Sequence, residues 1–190
     1  MNAFINYLNT IVELPLSAQE AINKITVHRK VGKNTMLLAH GEICHEFHFL
    51  ASGLTRVFYY KDGKEVTAWF ATQGGIASAI DSLFSGAPSI YNIQTLEDSE
   101  IFSLQYRKLE PIFQDFPIVE RLGRLMVTYN YLLLDERMKL FAFCTAEERY
   151  EKLIQQFPDI FQRTKLGHIA SYLGITQEHL SRIRAVYKNK

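Results

Sequence analysis

The residues of this chain best equipped for chemistry fall into two groups. The first is His40, Cys44, His45 and His48, crowded into nine residues, with the nitrogen and sulfur donors that hold zinc or iron. Their spacing works against a metal. In an extended strand His45 and His48 project to opposite faces, and no carboxylate occurs between Phe49 and Lys61 to complete a ligand set. No metal site and no catalytic residue is expected, and these histidines read as half-exposed strand residues. The chain also lacks GxSxG, a P-loop and GxGxxG; Gly74-Gly75 is a turn signal. Its two cysteines, Cys44 and Cys144, form no CxxC, so a disulfide framework, a structural zinc site and an iron–sulfur cluster are all unsupported.

The second group lies near the C-terminus: Thr176, Gln177, Glu178, Ser181 and Arg182, followed by Arg184 and Lys188. A helix capped at Thr176 carries Gln177, Glu178, Ser181 and Arg182 on its first turns, where a recognition helix meets base edges. The residue types suit that task, because arginine bonds guanine with two hydrogen bonds and glutamate accepts from the amino group of cytosine. Charge agrees. Residues 163–190 carry a net +5 and the remainder −4, and a basic pole on an acidic chain is what a local contact with phosphates needs.

The elements that position these residues follow from periodicity. Residues 3–22 repeat in helical steps through Phe4, Tyr7, Leu8, Ile11 and Val12, broken at Pro15. From Ile25 to Leu104 the period is two, giving seven or eight short strands separated by glycine turns; Asp62-Gly63 is a type I′ hairpin signal. Such strands make a sandwich or jelly roll. After Leu104 the period is helical: a short helix over 106–116, then one unbroken helix from Ile118 to about Phe143. The latter carries Leu122, Leu125, Met126, Tyr129, Leu132 and Leu133 at steps of three and four. This seam suits pairing with a second copy. Thr145-Ala146-Glu147-Glu148 forms a capping box for the next helix. Helices over 165–173 and 176–187, joined through Gly174-Ile175-Thr176, have the shape of a helix-turn-helix.

The pattern Ile169-Ala170-x-x-Leu173-Gly174-Ile175-Thr176-x-Glu178-x-Leu180-Ser181-Arg182 resembles the helix-turn-helix of the Crp/Fnr transcription factors. The order of elements over almost the whole chain resembles that family too. The resemblance implies an α+β fold: a cyclic-nucleotide-binding-like β jelly roll over 1–116, a dimerisation helix over 117–144 and a helix-turn-helix over 145–190. It further implies double-stranded DNA, a second copy of the chain and RNA polymerase as partners. The chain stops soon after the recognition helix, so the wing of a winged helix is expected to be absent. Residues 74–100 look like the family's phosphate-binding cassette, with departures. Where cyclic-AMP binders place Gly-Glu-Leu and Arg-Ser, this chain reads Ser78-Ala79-Ile80 and Ser89-Ile90. The effector pocket implied by the resemblance comprises Ser78, Ala79, Ser89, Ile90, Tyr91, Leu134 and Asp135, without the ribose carboxylate or the phosphate guanidinium. No cofactor is implied, and the small-molecule effector stays unknown.

Two alternatives stand beside this reading: a metal-dependent or small-molecule β-roll enzyme of the cupin kind, and a protein-interaction module that keeps the family shape without binding DNA. With 190 residues, 47% hydrophobic and 22% charged, disorder and fibre are excluded. No run approaches the roughly 18 apolar residues of a membrane span. No secretory signal is visible at Met1–Asn6, so a cytoplasmic location is expected.

Overall fold

The computed structural model describes residues 2–188, apart from the side chain of Lys188, so the assignment of that lysine lies outside the described residues. Two helices, α1 (Ala3–Ile11) and α2 (Leu16–Ile25), precede the strands β1 (Thr26–Val31), β2 (Met36–Leu38), β3 (Glu46–Ser52), β4 (Thr55–Lys61), β5 (Lys64–Ala71), β6 (Ile76–Ala77), β7 (Asn92–Thr95) and β8 (Ser99–Gln105). A short helix α3 (Ile80–Ser85) interrupts them. Then follow α4 (Leu109–Asp115), α5 (Pro117–Phe143), α6 (Ala146–Gln156), α7 (Ile160–Arg163), α8 (Leu166–Leu173) and α9 (Gln177–Lys188).

Local chemistry sets several boundaries. Asn2 caps α1 by accepting from the Ile5 amide at 2.8 Å. Pro15, in extended conformation at the N-cap of α2, splits the predicted N-terminal helix because a helix interior has no place for its ring. Asp62 and Gly63 both take positive φ, 50° and 72°, and close β4 onto β5 through the Lys61–Lys64 pair. That is the I′ geometry the dipeptide predicts. Two elements in the stretch 74–89 carry no periodic signal: β6, two residues long, and α3, less than two turns. The strand expected at Ile90 starts at Asn92 instead, because Ser89 and Ile90 are held in a turn by bonds to Asp81.

The strands form two antiparallel four-stranded sheets, ordered β1-β8-β3-β6 and β2-β7-β4-β5. Leu38, Leu50, Val57, Ile93 and Ile101 fill the space between them. The outer face of the first sheet presents Phe49, Phe102 and Leu104 to Phe4, Ile5, Leu8, Ile22, Ile112, Val119 and Leu122 of the helices. The outer face of the second contributes Leu54, Phe70 and Leu96 to one core with Tyr150, Leu153, Phe157, Ile160, Ile169, Tyr172, Leu173 and Leu180. Both faces of the central strands are therefore covered, which is why Phe49-Leu50 and Ile101-Phe102 are buried as consecutive pairs.

The long helix begins with Pro117 at its first position and runs 27 residues, about 40 Å. Its N-terminal third belongs to the roll. Leu122 is buried in this core, a correction to the predicted seam, and Met126 packs half-buried against it. Tyr129 and Leu132 are exposed, and Leu125 and Leu133 are half-buried.

His48, expected to be half-exposed, is buried on β3 with its Nδ1 2.9 Å from Ser103 Oγ. Burial pushes its pKa down to about 4; Glu46, 3.9 Å away, acts in the opposite direction and is outweighed, and Arg29 adds a small push downward. We therefore treat this contact as a neutral imidazole near a carboxylate, not an ion pair. In the unfolded chain the ring titrates near 6.5, so between those values the unfolded state binds more protons. Stability fully present above pH 6.5 is expected to fall as the pH drops toward 4, by up to about 3 kcal/mol from this residue. Thermal unfolding followed across that window should show the loss, and His48→Asn should reduce it, leaving the part due to His168, which burial likewise lowers to about 4.

Candidate nucleic-acid interface and effector cassette

The helix pair at the C-terminus is built around a left-handed turn. Gly174 (φ 69°) ends α8 and donates to the carbonyls of Ala170 and Ser171, while Ile175 N–H reaches Ala170 O at 3.0 Å. Only glycine takes that conformation without strain. Thr176 then caps α9: its Oγ1 accepts from His179 N–H at 3.2 Å. Both helices fall within a residue of their predicted limits. Leu180 and Ile183 are buried, whereas Thr176, Gln177, Glu178, Ser181 and Arg182 are exposed along one edge of α9. The Glu178 carboxyl is held below its usual range by its own backbone N–H first and the Thr176 side chain second, with a smaller contribution from Arg182. Arg184 differs from the other predicted contact residues: its guanidinium lies over the Phe161 ring at 4.1 Å, on the flank of the edge.

Two arginines that sequence reasoning missed fix α8 to the long helix. Arg137 donates to Tyr172 O at 3.0 Å and stacks 3.8 Å over the Tyr172 ring. Arg149 donates to Leu173 O at 3.0 Å and to Cys144 O at 2.8 Å. Both guanidiniums flank Phe141, at 5.0 and 5.1 Å from its centroid. They satisfy carbonyls that the last turn of α8 leaves free. The docking also ties the helices to the roll: Arg163 bonds Glu97 at 2.6 Å and Gly53 O at 3.0 Å, and Ser171 Oγ accepts from Thr67 N–H at 3.1 Å. Beside this seam, Arg56 is 3% exposed; it pairs with Glu65 at 2.5 Å and stacks on Phe58. It lines a cleft of about 410 Å³ shared with Lys33, Thr164, Lys165 and His168.

In the cassette, Ser78 Oγ donates to Glu46 O at 3.1 Å, and Ala79 is the buried N-cap of α3. Ser89 is buried and Ile90 exposed; the Tyr91 ring meets Tyr59 edge-on, centroids 6.0 Å apart. On the long helix Leu134 is exposed, and Asp135 is engaged along its own helix with Lys139 at 2.6 Å. The histidine group does not converge: His48 turns to Ser103 and His40 Nδ1 to Ile90 O at 3.2 Å, while Cys44 Sγ lies 3.5 Å from Ser78 Oγ. Among the described residues no three His, Cys, Asp or Glu side chains are grouped to hold a metal ion.

The family model of the cyclic nucleotide-binding domain matches residues 28–116. FixK2 from Bradyrhizobium japonicum superposes with a TM-score of 0.73 at 18% identity, covering 87% of this chain and 85% of that one. The c-di-GMP responsive global regulator CLP of Xanthomonas campestris gives 0.69 at 14% identity, with 92% of each chain covered. A regulator of the crp/fnr family from Eubacterium rectale gives 0.66 at 17%, covering 96% of this chain and 88% of that one. No curated protein sequence matches the chain. Residues 28–116 are thus similar to a cyclic nucleotide-binding domain. The fold of the chain as a whole is similar to that of these regulators, as the resemblance implied. No helix among the described residues is long and apolar enough to cross a membrane.

A Cβ at Gly174 would stand 2.8 Å from Phe141 Cε1 and sit at positive φ. Gly174→Ala is therefore expected to destabilise the fold by about 1–3 kcal/mol, read as a fall of several degrees in Tm. In a Phe141→Ala background the same change should cost less.

Proposed function

We propose that the chain is a homodimeric, sequence-specific DNA-binding transcription regulator, acting in the cytoplasm with RNA polymerase and catalysing no reaction, whose roll does not take cyclic AMP. The observation that carries this reading is the exposed edge of α9. Four side chains able to read bases stand on its first two turns, and its opposite face is locked into the core. In the bound state Glu178 exchanges its capping bonds for a cytosine amino group, and Arg182 takes a guanine. Arg184, stacked on Phe161, suits a flanking phosphate.

Arg182→Ala is expected to weaken binding at the cognate site by about 1–3 kcal/mol and to flatten the preference at one base position. Lys188→Ala should weaken all sequences alike. Selection of bound sequences from a random pool, followed by titration at fixed salt, measures both. A pool that yields no enriched sequence would favour the protein-interaction alternative.

For the dimer the seam is proposed beside the predicted one, whose Tyr129 and Leu132 are exposed as well. Val127, Tyr131, Leu134 and Met138 are exposed at steps of four, three and four, the spacing of a coiled-coil seam. Two copies joined there present their recognition helices about 34 Å apart, so the operator should be a two-fold repeat with half-sites one helical turn apart. Tyr131→Asp combined with Leu134→Asp should give monomers in sedimentation and abolish tight operator binding. A wild-type monomer that binds one half-site tightly would contradict the proposal.

A further inference from the structure

The cassette holds a small cradle of hydrogen-bond donors that is already filled. Ser89 Oγ donates to the Asp81 carboxylate, at 3.1 and 3.2 Å from its two oxygens, and the Ile90 amide donates to Oδ2 at 3.2 Å. The donors cannot swing away. Ser89 is 1% exposed; its amide bonds Glu42 O at 2.9 Å, and its carbonyl accepts from Gly41 N–H at 2.8 Å. Its hydroxyl also accepts from Tyr91 N–H at 3.0 Å. A hydroxyl and an amide fixed side by side, both pointing their hydrogens at one acceptor, form a site for an oxyanion.

Asp81 is not there to cap its own helix. It lies in the first turn of α3, whose N-cap, Ala79, makes no side-chain capping bond, yet its carboxylate turns across to the 89–90 loop. Its charge is felt there: the Tyr91 phenol is raised by burial first, then by Asp81 and Tyr59.

We infer that Asp81 is the specificity-determining residue of the cassette, closing it to phosphate-bearing ligands by occupying the Ser89–Ile90 donor pair with the chain's own carboxylate. The inference rests on the reading that the roll does not take cyclic AMP, and supplies its cause. An incoming phosphate meets a like charge at donors that are already satisfied. Removing the carboxylate frees the pair, and a cation in its place converts repulsion to attraction.

The test titrates cyclic AMP and, separately, inorganic phosphate into the full chain and into Asp81→Glu, Asp81→Ala and Asp81→Lys. Calorimetry gives affinity, and the Ile90 and Tyr91 amide resonances report location. The wild type and Asp81→Glu should show no saturable binding at millimolar ligand. Asp81→Ala should show a saturable shift at Ile90, and Asp81→Lys should bind at least tenfold more tightly than Asp81→Ala. Dispersed amide spectra establish that each variant is folded. Micromolar binding of cyclic AMP by the wild type would overturn the reading of the roll itself. A silent wild type with equally silent, folded Ala and Lys variants, or binding that leaves Ile90 unmoved, would instead overturn the role of Asp81 alone.

Discussion

The structure depends on covering the outer face of the sheet β2-β7-β4-β5. Phe70 on that face is 1% exposed, its ring tilted against Tyr172 at 5.1 Å and edge-on to Phe157 at 6.3 Å. Burying one such ring is worth about 2–3 kcal/mol. Leu54 and Leu96 join it, so roll and C-terminal helices share a single core. Left bare, this face would be a large apolar patch on the roll. The helix-turn-helix is therefore not suspended from the end of a linker. Its first helix is a lid on the sheet, and polar bonds from Thr67, Glu97 and Gly53 set the angle of the lid.

That docking explains the arginines at the joint. The C-terminal end of α8 points toward the long helix, and its last carbonyls need donors that the glycine turn does not supply in full. Arg137 and Arg149 supply them from two different helices, with Phe141 between the guanidiniums. Planar cations suit the position because they bond in their plane and stack on their faces. Burial lowers the Arg137 pKa, an effect the Tyr172 ring partly offsets. A shift of α5 would thus move the end of α8 directly, through contacts to its backbone. The long helix is bound to the roll at one end and to the helix-turn-helix at the other, with an exposed apolar stripe between.

The cassette shows a related economy of charge. The Ser89 hydroxyl and the Ile90 amide both face Asp81. A buried hydroxyl and an amide without an acceptor would each carry a desolvation cost, and the internal carboxylate removes it.

Much of this was legible from residue order. Period-two segments marked the strands, Asp62-Gly63 its hairpin, Pro15 and Pro117 the helix boundaries, and Gly174-Ile175-Thr176 the turn and cap, because each is a local effect of backbone geometry or of which atoms a side chain carries. The exposed edge of α9 followed from helical spacing alone. The sequence could not say that Leu122 and Met126 belong to the roll while Val127 and Tyr131 face outward, since both sets fit a helical stripe and only the packing of α1, α2 and α4 decides between them. Nor could it place Arg137, Arg149, Asp81 or the buried Arg56. Each finds its partners through side-chain contacts across the fold, and a pattern along the chain carries no record of which carbonyls, rings and amides meet when the sheets and helices close.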